Sequence, residues 1–188
     1  MLFNLPIVLT LVRVVAIPFL VLFFYLPAGV SALLSAALFA LAAITDWLDG
    51  YLARRWNQTS AFGAFLDPVA DKVLVAVALI LLLQADPRPL LAVAVAVIIG
   101  REITISALRE WMAELGQRTS VAVTQVAKFK TTTQMLAIFF MLLRRSYGGL
   151  PIYEFGFALL MVAALLTIWS MAMYLRAAWP IISEADKP

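Results

Sequence analysis

The sequence predicts an all-α integral membrane bundle of six transmembrane helices, and three observations carry that prediction. Of 188 residues, 64% are hydrophobic and only 13% are charged, whereas soluble domains run near about 45–50% apolar and ~25% charged. Six stretches each come close to the roughly 20 predominantly apolar residues that a spanning helix requires. Turn chemistry or short polar segments separate them.

The spans fall at about 5–26, 31–55, 64–84, 89–112, 121–143 and 154–177. The first carries Arg13 in its middle and lacks a basic leading region, so it reads as a retained helix and not a cleaved signal. Pro18 is expected to kink it, because a mid-helix proline removes a backbone donor and crowds the preceding turn. Leu26-Pro27-Ala28-Gly29 separates spans one and two, and the polar stretch Arg55 to Phe62 separates two and three. Asp86-Pro87-Arg88-Pro89, Gly116 to Ser120, and Tyr147-Gly148-Gly149-Leu150-Pro151 mark the remaining breaks. No repeat of 20–50 residues is detectable, so the expected organisation is one transmembrane domain over residues 1–188.

Cysteine and histidine are both absent. Their absence removes disulfides, zinc fingers, thiol or imidazole nucleophiles and imidazole metal ligands together. Any metal would be held by oxygen, which favours hard cations such as Mg²⁺ or Mn²⁺. The net charge of +3 comes from basic residues scattered between apolar runs. That pattern suits a membrane surface and not a nucleic-acid footprint. Arg54, Arg55, Arg109, Arg118, Arg176 and Lys187 lie on the side of both termini, against Arg88, Arg144 and Arg145 opposite. The majority places the termini in the cytoplasm. The sequon Asn57-Gln58-Thr59 falls in a cytoplasmic loop by that reading and is a chance match.

Four of the 11 acids lie in otherwise apolar spans two and three. A charge at mid-bilayer costs at least ~2.5 kcal/mol, so a cluster of one sign needs compensation. At 100° per residue, Asp46, Asp49, Gly50, Ala53 and Arg54 share one helix face, as do Gly63, Asp67 and Asp71 on the next span. The chain reverses between them, so the two faces can meet at one membrane level. Four carboxylates there could hold two divalent ions roughly 3.5–4 Å apart, a clamp for phosphoryl oxygens. Gly50 and Ala53 leave room for a ligand, and Arg54 offers phosphate a bidentate fork. The plainer alternative is that Arg54 and Lys72 pair with the acids and help the bundle assemble, although two cations serve four acids poorly.

The run Asp46-Trp-Leu-Asp49-Gly50-Tyr-Leu-Ala53-Arg54, eight further residues, then Gly63-Ala-Phe-Leu-Asp67-Pro-Val-Ala-Asp71 resembles the signature of the CDP-alcohol phosphatidyltransferase family at all eight fixed positions. The resemblance implies that Asp46, Asp49 and Asp67 bind two divalent cations, Mg²⁺ or Mn²⁺. It implies that Asp71 is the general base that deprotonates the acceptor hydroxyl and is also within reach of a metal. Asp49, Gly50, Ala53, Arg54 and Gly63 would line the site for CDP-diacylglycerol, and CMP would leave. A homodimer is implied by the same likeness.

The motif does not choose the acceptor. Arg101, Arg109 and Lys128 lie near the cytoplasmic face, and Thr124, Lys128 and Thr131 stack at four- and three-residue spacing. Such cations with hydroxyl neighbours suit a phosphorylated acceptor such as glycerol 3-phosphate, while snorkelling to headgroups is the alternative for each. Lys130 points about 160° from Lys128 and is the weaker candidate. Glu102 is placed to orient Arg101. Thr10 and Arg13 are further candidates for the acceptor phosphate, with Arg13 equally open to a snorkelling role.

Asn4 to Arg13 with Ile17-Pro18, Arg101 to Gly116, and Val121 to Met135 also resemble the bacterial branch of the family that uses glycerol 3-phosphate. That likeness implies phosphatidylglycerol phosphate as product, in the cytoplasmic (inner) membrane, with an active site facing the cytoplasm and membrane lipids around it. Phosphatidylinositol phosphate synthase and cardiolipin synthase are the alternatives within the family. An ion-coupled transporter is the rival outside it, but the chain shows no inverted repeat and its acids sit near one face.

Overall fold

With no water to bond to, a backbone in hydrocarbon must satisfy its polar groups internally, and each expected span is a helix. The computed structural model describes residues 5–56, 61–114, 125–144 and 150–185, apart from the side chains at 5–7, 28, 47, 49–56, 61, 62, 64, 125–128 and 180–185. The helices are α1 (Leu5–Phe24), α2 (Ala28–Trp56), α3 (Ala61–Ala85), α4 (Pro89–Glu114), α5 (Gln125–Leu143) and α6 (Ile152–Ala185). Gly29–Asp46, Pro89–Glu114 and Ile152–Trp179 are long and apolar enough to cross a membrane, and Val8–Phe24 and Phe129–Leu143 are shorter apolar stretches. The protein is an all-α membrane protein. Residues 57–60, 115–124 and 145–149 lie outside the described residues, and with them all of the expected break at 116–120, the start of the expected span at 121–143, and parts of the breaks at 55–62 and 147–151.

The two turns described throughout, between α1 and α2 and between α3 and α4, form where the sequence placed them. Val30 and Ser31 donate their N–H groups to the Pro27 carbonyl, and the Ser31 hydroxyl donates to the Phe24 carbonyl at 2.8 Å. Pro89 opens α4, where a missing N–H costs nothing. After α5, Arg144 takes a left-handed backbone with φ of 49°, a helix-ending position that usually falls to glycine or asparagine. Its guanidinium lies 3.8 Å from the centre of the Phe24 ring. Helix α6 continues past the expected limit of 177 to Ala185. Hydropathy marks where a span leaves the bilayer, whereas the helix itself has no reason to stop at Ala177 and Ala178.

Helix α1 packs on α2 and α3, α5 on α2 and α6, and α6 on α4. Leu20, Phe39, Leu79, Ile98, Ile138 and Met141 are fully buried between them. Leu33, Leu41, Ile80, Val93, Leu165 and Trp169 point outward, as expected where the solvent is lipid. Helices in lipid associate through close packing of small residues, and Gly156 supplies that at the α5–α6 contact. A Cβ there would stand 2.9 Å from the Ala137 carbonyl and from Met141.

Side-chain contacts between helices fall at two levels. One joins the start of α1 with the late part of α2 and the start of α3, and the late part of α4 with the early part of α5 and the late part of α6. The other joins the end of α1 to the end of α3, and the α3–α4 connection to the start of α6. The helices therefore alternate in direction, which returns the motif acids of α2 and α3 to a common end.

Candidate active site

Asp46 lies ten residues before the end of α2, and Asp67 and Asp71 lie in the first half of α3. Arg13 on α1 joins them. Its Nη1 stands 2.6 Å from Asp71 Oδ1 and 3.1 Å from Asp46 Oδ1. The Thr10 hydroxyl, one turn earlier, donates to Asp67 Oδ1. The Arg13 side chain is completely buried, while those of Asp46 and Asp71 keep 39% and 31% of their surface exposed.

That placement removes the snorkelling role for Arg13. The side chains of Thr10 and Arg13 are both directed at the motif acids. The physical reason is burial: a guanidinium inside an apolar helix needs an anion beside it, and the nearest are these carboxylates. Lys72 differs as well. It was a possible partner for the acids, yet its ammonium donates to the Ser106 hydroxyl on α4.

A cavity of about 210 Å³ opens beside the acids, lined by Asp46, Asp71 and Lys72 and, across from them, by Glu102, Lys130, Thr131 and Gln134. Lys130 is buried with its ammonium 2.5 Å from Glu102 Oε1. The same oxygen lies 3.3 Å from Arg101 Nη1. Glu102 thus anchors two cations, one more than the sequence suggested. Thr131 is in the cavity, and so is Lys130, the candidate that helical spacing ranked low. Spacing measures angle from a chosen neighbour and says nothing about which face meets the cavity.

Arg101 and Arg109 are not among the residues lining that cavity. Both lie over the Tyr174 ring of α6, with guanidinium-to-centroid distances of 5.4 and 5.3 Å. Arg109 also donates to the Tyr174 hydroxyl at 3.1 Å, and Arg101 donates to Ser170 Oγ at 3.3 Å. Arg101 connects to the cavity through Glu102, whereas Arg109 remains exposed. Gly63 is buried on α3. The side chains of Asp49, Ala53, Arg54 and Lys128, and the surroundings of Gly50, are outside what the structure describes.

An apolar groove of about 230 Å³ between α3 and α4 adjoins the cavity and shares Lys72, Val75 and Glu102 with it. Val73, Val77, Ile98 and Ile103 form its walls. A cavity edged by charged side chains beside an apolar groove can take a molecule with a charged head and a greasy tail.

The donor chemistry fits a hard divalent cation, because Asp46, Asp67 and Asp71 offer oxygen alone and stand at one level of the bundle. Among the described residues no three acidic side chains are gathered closely enough to enclose an ion. Arg13 bridges Asp46 and Asp71, Thr10 holds Asp67, and the fourth acid of the motif, Asp49, is outside the described side chains.

Fold and site together define a polytopic helical membrane protein with a cavity in which carboxylates of two helices face the buried lysine of a third. The pattern common to the CDP-alcohol phosphatidyltransferase family matches residues 3–169, and the chain belongs to that family. A protein of Salmonella choleraesuis (strain SC-B67), named CDP-diacylglycerol–glycerol-3-phosphate 3-phosphatidyltransferase, is 56% identical over 176 residues, covering 94% of this chain and 95% of its own. Proteins of the same name from Salmonella typhimurium (strain LT2) and Escherichia coli (strain K12) are each 55% identical over the same shares of both chains.

Proposed function

We propose that the protein is an enzyme that transfers the phosphatidyl group of CDP-diacylglycerol to glycerol 3-phosphate, giving phosphatidylglycerol phosphate and CMP. One observation carries the reading: Asp46 and Asp71 line a cavity whose far wall holds Lys130 and Thr131, in a chain 55% identical to enzymes named for this reaction.

Asp71 is the general base. It takes the proton of the acceptor's terminal hydroxyl, whose oxygen attacks the lipid-linked phosphorus. The bond from that phosphorus to the CMP oxygen breaks, and CMP departs with the electron pair. Arg13 fixes the Asp71 carboxylate from behind at 2.6 Å, and Thr10 does the same for Asp67. Lys130, steadied by Glu102, stands ready for the acceptor phosphate beside Thr131; Arg101, Arg109 and Lys128 are the further cations assigned to that phosphate. Asp49, Gly50, Ala53, Arg54 and Gly63 form the CDP-diacylglycerol site, and the α3–α4 groove suits an acyl chain. Asp46, Asp49, Asp67 and Asp71 would hold two divalent cations, Mg²⁺ or Mn²⁺, whose charge would neutralise the pyrophosphate and the leaving CMP. Positioning and charge neutralisation supply most of the rate.

The membrane is the bacterial cytoplasmic (inner) membrane, with the site facing the cytoplasm. Support comes from the excess of Lys and Arg on the side of both termini and from bacterial relatives. The working unit is a homodimer of single catalytic domains, a reading that rests on the family likeness.

The deciding experiment measures CMP release by purified protein in detergent with CDP-diacylglycerol, Mg²⁺ or Mn²⁺, and one acceptor at a time. Release with glycerol 3-phosphate that EDTA stops is the expected result. Release with inositol phosphate or phosphatidylglycerol alone would keep the site and change the acceptor. Silence with every acceptor in folded protein would return the chain to the transporter class.

A further inference from the structure

Gln134 lies one helical turn beyond Lys130 on α5 and lines the same cavity as Asp71, Lys72, Glu102 and Lys130. Only 4% of its surface is exposed. Its amide oxygen Oε1 is buried and has no hydrogen-bond partner among the described residues. A buried carbonyl oxygen left unpaired is costly, and nearly all such groups in folded proteins find a donor. Gln134 lines the cavity, so a turn of its terminal amide brings Oε1 to whatever fills that space, and the missing hydrogen-bond donor is expected to come from there.

Glycerol 3-phosphate offers three polar groups, and two already have partners in the proposed reaction. Its phosphate is an acceptor and goes to the cations. Its terminal hydroxyl gives its proton to Asp71. The hydroxyl on the middle carbon is the one donor left over, and Gln134 Oε1 is the acceptor in need of one. Resting on the acceptor reading above, we infer that Gln134 accepts a hydrogen bond from the middle hydroxyl of glycerol 3-phosphate and makes the enzyme select acceptors that carry it. A site built to pair with a hydroxyl rejects the analogue that lacks it, because the protein group is then stranded. A pocket lined by carbon at this position would have no such preference.

The test compares glycerol 3-phosphate with 3-hydroxypropyl phosphate, which keeps the phosphate and terminal hydroxyl but lacks the middle one. Purified wild-type protein is expected to favour glycerol 3-phosphate in kcat/KM for CMP release by about 10- to 100-fold. In Gln134→Met the ratio should fall to within about threefold, through loss on glycerol 3-phosphate while turnover of the analogue holds or rises. Equal use of both acceptors by the wild type would overturn the inference without any variant, and so would a Gln134→Met enzyme that loses both alike and keeps the wild-type ratio. Should Gln134→Met melt far below the wild type, Gln134→Asn withdraws the amide by one methylene and should also lose preference; a preference kept in full would overturn the inference. A wild-type enzyme that makes no CMP with glycerol 3-phosphate would instead sink the acceptor reading on which this rests.

Discussion

At the end of the bundle that carries the motif, Arg13 has none of its side chain exposed and touches two carboxylates. At the opposite end, Arg88 keeps 37% of its side chain exposed and also touches two, 2.7 Å from Asp86 and 3.1 Å from Glu154. The inventories look alike, but the energetics do not. An exposed pair contributes roughly 0–1 kcal/mol, whereas a fully buried guanidinium left without its carboxylates is a stranded charge that costs about 3–5 kcal/mol. Packing differs in the same way. Arg88 spreads over the rings of Phe157, at 4.1 Å, and Tyr153, at 5.5 Å, and closes the connection between α3 and α4 onto the start of α6. Arg13 closes nothing. It holds acids beside a cavity, at a cost in desolvation that a purely structural device would avoid.

The largest effect expected from breaking this contrast belongs to Asp71. Asp71→Asn keeps shape and removes the base, so CMP release should fall by at least about 10²-fold, within the ~10²–10⁴-fold span typical of general bases. The melting temperature should stay near that of the wild type, since Arg13 retains Asp46 as an anion. Turnover that survives in folded Asp71→Asn protein would remove Asp71 as base. The matching change at the other end, Arg88→Met, should leave kcat/KM within about twofold, because an exposed pair far from the cavity touches no reacting atom.

A middle-sized effect concerns metal and Arg13 together. If divalent cations and the guanidinium neutralise the same acids, each should substitute in part for the other. Arg13→Met leaves Asp46 and Asp71 facing one another, so its melting temperature should drop in EDTA by roughly 5 °C or more. Added Mg²⁺ should recover much of that loss, and the gap between the two conditions should be wider than in the wild type. An equal gap in both proteins would show that Arg13 and the cation act on separate groups.

The two ends were also unequally legible in the sequence. The six helices could be read because a bilayer demands unbroken apolar runs, and Pro27 and the Pro87–Pro89 break punctuate them. Asp46, Asp49, Asp67 and Asp71 could be singled out because four acids in such runs outnumber the cations, Arg54 and Lys72, that would explain them as structural pairs. What could not be read was which partner each charge would find. Arg13 lies 33 residues before Asp46 and 58 before Asp71 in the chain, and helical spacing carries no information across that distance. Lys130 ranked low since its angle was measured from Lys128 and not from the cavity. Gln134 gave no signal at all: a glutamine in a helix is ordinary, and only burial of its oxygen singles it out. Gly156 was silent too, because its role depends on how closely α5 approaches.

The smallest effect lies at the exposed end and depends on pH. Burial works to raise the Asp86 carboxyl, but hydrogen bonds from Arg88 and Tyr153 outweigh it and hold the group below its ordinary value of 3.8. Arg88 is held above its own ordinary value, chiefly by its hydrogen bond to Asp86 and then by that to Glu154. For a carboxyl depressed by folding, the native state gains stability above the unfolded pKa and loses it as pH falls through the folded one. Asp86→Asn should therefore melt slightly below the wild type between pH 5 and pH 8, by a margin that does not change across that range. Below about pH 4 the two melting curves should converge as the wild-type carboxyl takes up its proton. CMP release at neutral pH should be unaltered throughout, since the loop stands at the far end of the bundle from Asp71. A margin that persisted into acid would mean that Asp86 acts through shape, by accepting the Tyr153 hydroxyl at 2.5 Å, and not through its charge.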